Sequence, residues 1–166
     1  MTSGLASFNA ASDDAARRLL LTCVDVPRWA AELATGRPYT DVGTLLAAAR
    51  TAADPWTDEE VDAAAARHPR VGEPPAGDDA GAAHSRREQA AVDATDATTA
   101  ERLRAANRAY EDRFGHVFLI RAAGRGGDEI LAALEHRLGN DPATEHRITA
   151  DQLREIAVRR LQEELA

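Results

Sequence analysis

Apolar residues recur at intervals of three and four along much of this chain, as they do in helices with one buried face. After Ser12, for example, Leu19, Leu20 and Cys23 fall on one such face, and Ser12 is a typical N-cap residue. The sequence contains no run in which apolar and polar residues alternate for long enough to indicate a sheet. Residues that favour helices, such as Ala, Leu, Glu and Arg, are abundant. The pattern therefore predicts an all-α fold.

Start and stop signals divide the sequence into about eight or nine helices, which we expect to form a single-domain helical bundle over residues 1–166. Caps and prolines place helix starts near Ser12, Pro27, Asp41, Thr57, Ser85, Asp128 and Pro142. Because Pro69 cannot continue a helix, the fourth of these is expected to end at His68.

The segments between the helices are also indicated by composition. Residues 73–83 are rich in Pro, Gly and Asp and are expected to form a loop, and a polar cluster at residues 94–99 is a candidate break in the helix that follows. A further helix is expected to end at Gly115. The apolar residues 118–120 are then expected to form either an extended segment or a single buried turn.

The charge and the residue composition of the chain argue against several classes of partner and of mechanism. The formal net charge of −8 and the pI of about 5.1 argue against nucleic acid and against an anionic membrane surface. Every basic residue is Arg, which excludes a mechanism based on a lysine Schiff base or a lysine general base. Cys23, the single cysteine, lies among leucines and is predicted to be a buried structural thiol. The sequence shows neither a signal peptide nor a membrane span, so a cytoplasmic location is expected.

His68 is the first candidate for chemistry. At the C-terminal end of a helix the dipole favours the imidazolium form, which makes this side chain a possible proton donor near neutral pH. The alternative is an ordinary helix-end residue that hydrogen-bonds to the last carbonyl groups.

Ser85, Glu88 and Gln89 form a second candidate. Ser-x-x-Glu at a predicted helix start is the signature of a capping box, which by itself needs no ligand. Gln89 is not explained by that box. A helix N-terminus with these three side chains on one side would also resemble a polar floor for an anionic or carbonyl ligand.

Arg160 is the third candidate. Together with Leu153, Ile156 and Ala157 it falls on the buried stripe of the last predicted helix, whereas Arg159 faces solvent. An arginine on a buried stripe either holds an anion, pairs with a core carboxylate or extends its stem to the surface. Its fork geometry suits a carboxylate or a ureido group.

Other kinds of site are not indicated. The remaining histidines have no ligand spacing typical of a metal site, and one cysteine makes no metal cage, so no metal is expected. The glycine-rich residues 124–127 lack the Lys and Ser/Thr of a P-loop. The GxSxG elbow of serine hydrolases is also absent.

An ordered set of motifs resembles the family of 2-oxo-4-hydroxy-4-carboxy-5-ureidoimidazoline (OHCU) decarboxylases, from Phe8-Asn9 to the C-terminus. The motifs are Arg37-Pro38-Tyr39, His68-Pro69-Arg70-Val71-Gly72, Ser85-x-x-Glu88-Gln89, Asn107-x-x-Tyr110-x-x-x-Phe114-Gly115, Phe118-Leu119-Ile120, Arg137-Leu138-x-Asn140, Glu145 and Glu155-Ile156-Ala157-x-x-Arg160-Leu161. Each motif alone is weak, but the ordered set is specific.

The resemblance implies an all-helical, cofactor-independent homodimeric enzyme of urate degradation that converts OHCU to (S)-allantoin and CO₂. The family's catalytic His, Glu and Arg correspond to His68, Glu88 and Arg160. Its ligand-lining positions correspond to Pro69, Ser85, Gln89, Phe118, Leu119, Ile120, Arg121 and Ala122.

The residues are consistent with this chemistry, because a ring C=N bond beside the departing carboxylate lets the substrate accept its own electron pair. As a hypothesis, His68 delivers the proton that sets the configuration of the product, Glu88 orients His68 or binds a ring N–H, and Arg160 anchors the substrate. Two alternatives remain: a helical module that binds a purine-derived metabolite without turnover, and a structural adaptor in which these residues only cap and pair.

Overall fold

A computed structural model describes residues 3–93 and 96–166, and every regular element in those residues is an α-helix. The ten helices are α1 (Ser3–Ala10), α2 (Asp13–Cys23), α3 (Pro27–Thr35), α4 (Val42–Ala52), α5 (Asp58–Arg67), α6 (Ala80–Glu88), α7 (Ala90–Asp93), α8 (Ala97–Phe114), α9 (Gly127–Arg137) and α10 (Pro142–Glu164). The all-α prediction is confirmed, and the number of helices is close to the predicted eight or nine. In the part of the chain that is described, no helix is long and apolar enough to cross a membrane.

Most of the predicted helix ends are confirmed because their signals are local. The Ser12 hydroxyl accepts a hydrogen bond from the Ala15 N–H at 3.2 Å, and the Asp41 carboxylate accepts one from the Thr44 N–H at 2.7 Å. Gly115 ends α8 with a φ of +77°, a left-handed conformation that glycine adopts without strain.

The capping box predicted at Thr57 is present at the start of α5. The Glu60 N–H donates to the Thr57 hydroxyl at 3.1 Å, and the Thr57 N–H donates to the Glu60 carboxylate at 2.9 Å. Arg28 makes two further hydrogen bonds to the same carboxylate, at 2.7 and 2.9 Å. These Arg28 contacts, followed by the Thr57 N–H, hold the pKa of Glu60 below its ordinary value.

Because the pKa of Glu60 is lower in the folded than in the unfolded chain, this carboxylate stabilises the fold above its ordinary pKa of 4.5 and loses that effect as the pH falls through the folded value. We expect Glu60→Gln to lower the free energy of unfolding by about 1 kcal/mol at neutral pH, and by much less near pH 3. Urea unfolding at both pH values measures this. Glu59→Gln, an exposed neighbour in the same turn, is the control, and equal losses at both pH values would contradict the linkage.

The described residues divide into two compact units, residues 1–64 with 154–166 and residues 65–153. In the first unit α3 packs against both α2 and α4, and the buried Trp29 indole N–H donates to the Ala49 carbonyl at 2.9 Å. In the second unit α8 packs against α9. The core there consists of Val71, Val92, Leu103, Tyr110, Phe118, Ile120, Ala122, Ile130, Leu131 and Leu134. The single domain over residues 1–166 stays a prediction.

The loop predicted at residues 73–83 is too long, and the helix predicted to begin at Ser85 begins earlier. Asp79 is the N-cap of α6, and its carboxylate accepts the Ala82 N–H at 2.8 Å. The alanines that follow this cap favour a helix strongly enough to include Gly81.

The N-cap predicted for α9 also differs from the structure. Gly126, not Asp128, is the N-cap of α9, because the Asp128 carboxylate instead accepts the Thr99 hydroxyl at 3.0 Å. The break predicted at residues 94–99 lies partly outside the described residues, at 94 and 95. Asp96 caps α8, so Thr99 belongs to the first turn of that helix. Helix α1 was not predicted.

Candidate functional site

His68 lies directly after the last residue of α5, within one residue of the predicted helix end. Its backbone N–H donates to the Ala65 carbonyl at 3.1 Å, which closes the final turn. The side chains of His68 and Pro69 are both half-buried. The imidazole therefore lies where the chain leaves a helix, and part of its surface stays exposed.

Two buried side-chain amides hold the turn that follows His68. The Gln89 Oε1 atom accepts the Gly72 N–H at 3.0 Å, and the Asn107 Nδ2 atom donates to the Val71 carbonyl at 2.8 Å. Gln89 is 4% exposed and Asn107 is 2% exposed. This role of Asn107 was missed, although an asparagine on the buried stripe of a helix must satisfy its amide within the protein.

The capping box predicted at Ser85 and Glu88 is wrong. Because Asp79 caps α6, Ser85 lies inside that helix, Glu88 is its last residue and Gln89 is its C-cap. The predicted floor of free N-terminal amides is therefore wrong as well, since these residues belong to the carbonyl end of the helix. Ser85 and Gln89 are buried and Glu88 is half-buried. A local Ser-x-x-Glu match could not reveal the competing cap six residues upstream.

Residues 118–122 form an irregular segment that side chains hold in place. The Leu119 carbonyl accepts a hydrogen bond from the Arg137 Nη1 atom at 2.7 Å, and the Arg121 N–H donates to the Gln152 Oε1 atom at 2.9 Å. Phe118, Leu119, Ile120 and Ala122 are buried, and Arg121 is half-buried. Of the two forms predicted for residues 118–120, the single buried turn is not formed, because these main-chain groups bond to side chains of later elements instead of to one another.

A buried polar cluster of Tyr110, Arg137, Glu145 and Thr149 lies behind this segment, and we call it the Arg137 cluster. Arg137 Nε donates to the Glu145 carboxylate at 2.7 Å, and the Tyr110 hydroxyl donates to the same oxygen. Burial, together with the neighbouring Glu145 carboxylate, raises the pKa of Tyr110 well above its ordinary value. Arg137 and Glu145 belong to the family motifs, but no role was predicted for either residue.

Arg160 belongs to the other unit. It is 4% exposed, as its place on the buried stripe predicts, and its Nη1 atom donates to the Cys23 carbonyl at 3.4 Å. The Cys23 thiol is buried as predicted, and burial raises its pKa to about 12. Arg159 is exposed and pairs with Glu163 at 3.1 Å.

All of the predicted site residues except Arg160 therefore lie in the unit formed by residues 65–153. The action of Arg160 on the same ligand stays a prediction. Among residues 3–93 and 96–166, no group of three His, Cys, Asp or Glu side chains could hold a metal ion.

The chain is similar to proteins of one family along nearly its whole length. The OHCU decarboxylase family model matches residues 9–162. An OHCU decarboxylase of Haloferax volcanii is 31% identical over 136 residues, which cover 81% of this chain and 80% of that protein. One of Amia calva is 39% identical over 75 residues, which cover 45% and 43%.

Solved structures agree with this assignment. A crystal structure of OHCU decarboxylase in the presence of (S)-allantoin matches with a TM-score of 0.72 and 26% identity, covering 92% of this chain and 97% of that one. An (S)-allantoin synthase shares the fold, with a TM-score of 0.72 and 17% identity, over 98% of this chain and 53% of that one. The motifs, the helices and the length of the match lead to one conclusion: this chain belongs to the OHCU decarboxylase family.

Proposed function

We propose that this protein decarboxylates OHCU to (S)-allantoin and CO₂ in urate degradation, with His68, Glu88 and Arg160 as its catalytic residues. The observation that carries the activity is the match of the family model to residues 9–162, which spans all three of these positions. The Haloferax volcanii relative, which bears the name of this activity, supports the same conclusion over four fifths of the chain.

The reaction needs an acceptor for an electron pair and a proton donor on one face of the intermediate. When the C–CO₂ bond breaks, its electron pair forms a double bond to the neighbouring ring carbon, and the C=N pair moves to the nitrogen, which takes up a proton. An enol-like intermediate and CO₂ result. His68 then delivers a proton to one face of the neighbouring ring carbon, which bears the ureido group, and this fixes the S configuration. The hydroxyl group on the carbon that lost CO₂ gives up its proton and becomes a carbonyl. Glu88 orients His68 or accepts a hydrogen bond from a ring N–H. The position of His68 at a helix end, next to a turn that Gln89 and Asn107 hold, supports this role.

The remaining contacts determine how the ring is held. Pro69, Ser85, Gln89 and the backbone of residues 118–122 are proposed to line the ligand. The hydrogen bond from the Gly72 N–H to the Gln89 Oε1 atom supports a narrower role for Gln89. Its NH₂ group is then the part that it offers to a ligand, which should be a carbonyl or carboxylate oxygen.

Arg160 is proposed to grip the carboxylate or the ureido oxygen of the same substrate. Its burial supports this, because a guanidinium so far removed from water needs an anion or several acceptors. We also propose a homodimer located in the cytoplasm, on the resemblance and on the composition. Light scattering tests the homodimer, and cell fractionation tests the cytoplasmic location.

The function is tested with purified protein and freshly generated OHCU. Circular dichroism should show (S)-allantoin forming faster than in the spontaneous decay, which gives racemic product and hence no signal. Allantoin forming at the spontaneous rate and without optical activity would contradict the proposal. If OHCU or (S)-allantoin then raised the melting temperature without turnover, the protein would instead be a binding module.

A further inference from the structure

Burying the charges of the Arg137 cluster costs desolvation free energy that apolar side chains in the same place would not cost. The side chains of Arg137 and Glu145 are 7% and 0% exposed, so both charges are removed from water. Replacing a buried ion pair with apolar residues is often neutral or stabilising, so such a pair is weak evidence for a purely stabilising role. The cluster therefore calls for an explanation in terms of what it holds.

The Arg137 guanidinium contacts one main-chain group of the irregular segment. Its Nε atom donates to Glu145 at 2.7 Å, its Nη2 atom donates to the Thr149 hydroxyl at 3.4 Å, and its Cζ atom lies 4.5 Å from the ring centre of Phe118. The Nη1 atom is directed at the Leu119 carbonyl, at 2.7 Å. The fork thus joins two residues of α10 to the segment of residues 118–122.

Fixing that carbonyl fixes the peptide group to which it belongs. The peptide bond is planar and trans, so the Ile120 N–H points in the direction opposite to the Leu119 carbonyl. With the carbonyl held by Arg137, the N–H is directed away from the Arg137 cluster. One residue later, Gln152 holds the Arg121 N–H in the same way. Two consecutive peptide groups are therefore oriented by the buried Arg137 and the half-buried Gln152, and not by a helix or a sheet.

We infer that Arg137 is a positioning residue, which holds the peptide groups of residues 118–122 in the orientation that binds the substrate. The inference rests on the proposed function, in which this backbone lines the ligand. A lysine could not replace Arg137, because its single ammonium cannot keep the fork geometry toward Glu145 and toward Leu119 at the same time. Glu145 acts through Arg137, since its Oε1 atom accepts the Arg137 Nε–H, and Tyr110 does so as well, since its hydroxyl donates to the same oxygen.

The test compares Arg137→Lys with Arg102→Lys. Arg102 is exposed and pairs with Glu135 at 2.8 Å in the same unit, so the control makes the same chemical change where no main-chain group is held. For Arg137→Lys we expect KM for OHCU to rise about tenfold while kcat changes less than about threefold, since the lost contacts orient binding groups. Amide hydrogen exchange of residues 118–122 should accelerate about tenfold, with α8 unchanged. Arg102→Lys should change none of these.

Several results would overturn the positioning role of Arg137. An unchanged KM in a folded Arg137→Lys protein, or faster exchange spread evenly over α8 and α9, would overturn it, because the cluster would then serve stability alone. If Arg137→Lys does not fold, Tyr110→Phe provides the test, and we expect a KM increase of about threefold without a change in kcat; a wild-type KM there would overturn the inference. Absence of turnover by the wild-type protein would instead remove the proposed function, and the inference with it.

Discussion

Replacing His68 with Asn is expected to lower kcat for (S)-allantoin formation by about 10²–10⁴-fold and to leave the melting temperature nearly unchanged. Asn keeps a polar group of similar size but cannot transfer a proton near neutral pH. His68 is half-buried and follows the last residue of α5, so the substitution creates no cavity in the core. The rate is followed by circular dichroism, and substrate loss by absorbance on the same sample.

The two signals separate two roles for His68. Loss of OHCU at the wild-type rate with racemic product would restrict His68 to the final protonation, whereas loss of both signals would place it in the decarboxylation as well. His136→Asn is the matched control, because His136 lies exposed in the last turn of α9. Near-wild-type formation of (S)-allantoin by His68→Asn would remove this residue from the mechanism.

Replacing Arg160 with Lys is expected to lower kcat/KM by about 10²-fold, which corresponds to about 3 kcal/mol. The ammonium group preserves the charge but not the two parallel hydrogen bonds that a guanidinium gives to a carboxylate or ureido group. Steady-state kinetics over a range of OHCU concentrations measure the change.

Arg159→Lys is the control for Arg160→Lys, since Arg159 is the exposed neighbour in the same helix and pairs with Glu163. We expect its kinetics to match those of the wild type. A second explanation for the burial of Arg160 is an internal structural role that includes its bond to the Cys23 carbonyl. In that case Arg160→Lys would lower the melting temperature while kcat/KM stayed at the wild-type value, and Arg160 would lose its catalytic assignment.

The helix boundaries could be predicted wherever the signal and the group it satisfies lie within one turn. Ser12, Asp41 and the reciprocal pair of Thr57 and Glu60 are of this kind, and all are confirmed. The same reasoning failed at Ser85, whose Ser-x-x-Glu spacing also fits the interior of a helix. Asp79 is the N-cap of α6, so Ser85 and Glu88 lie inside that helix and the start predicted at Ser85 is wrong.

Burial of single polar side chains could also be predicted, though only partly. The periodicity placed Arg160 on a buried stripe, which is confirmed. The same rule would have identified Arg137, which follows Ile130 and Leu134 at helical spacing and is 6% exposed. The hydrogen bonds that hold residues 118–122 could not be predicted, because the partners lie 18 and 31 residues further along the chain and leave no periodic signal.

The turn after His68 has a consequence for the thermodynamics of binding. Because hydrogen bonds with Gln89 and Asn107 tether its backbone, the protein itself orders these residues, and binding of a substrate costs little conformational entropy there. Calorimetric titration with (S)-allantoin should therefore give a small heat-capacity change, typical of rigid docking and not of coupled folding. Asn107→Ala would shift part of the ordering to the moment of binding, with a more unfavourable entropy.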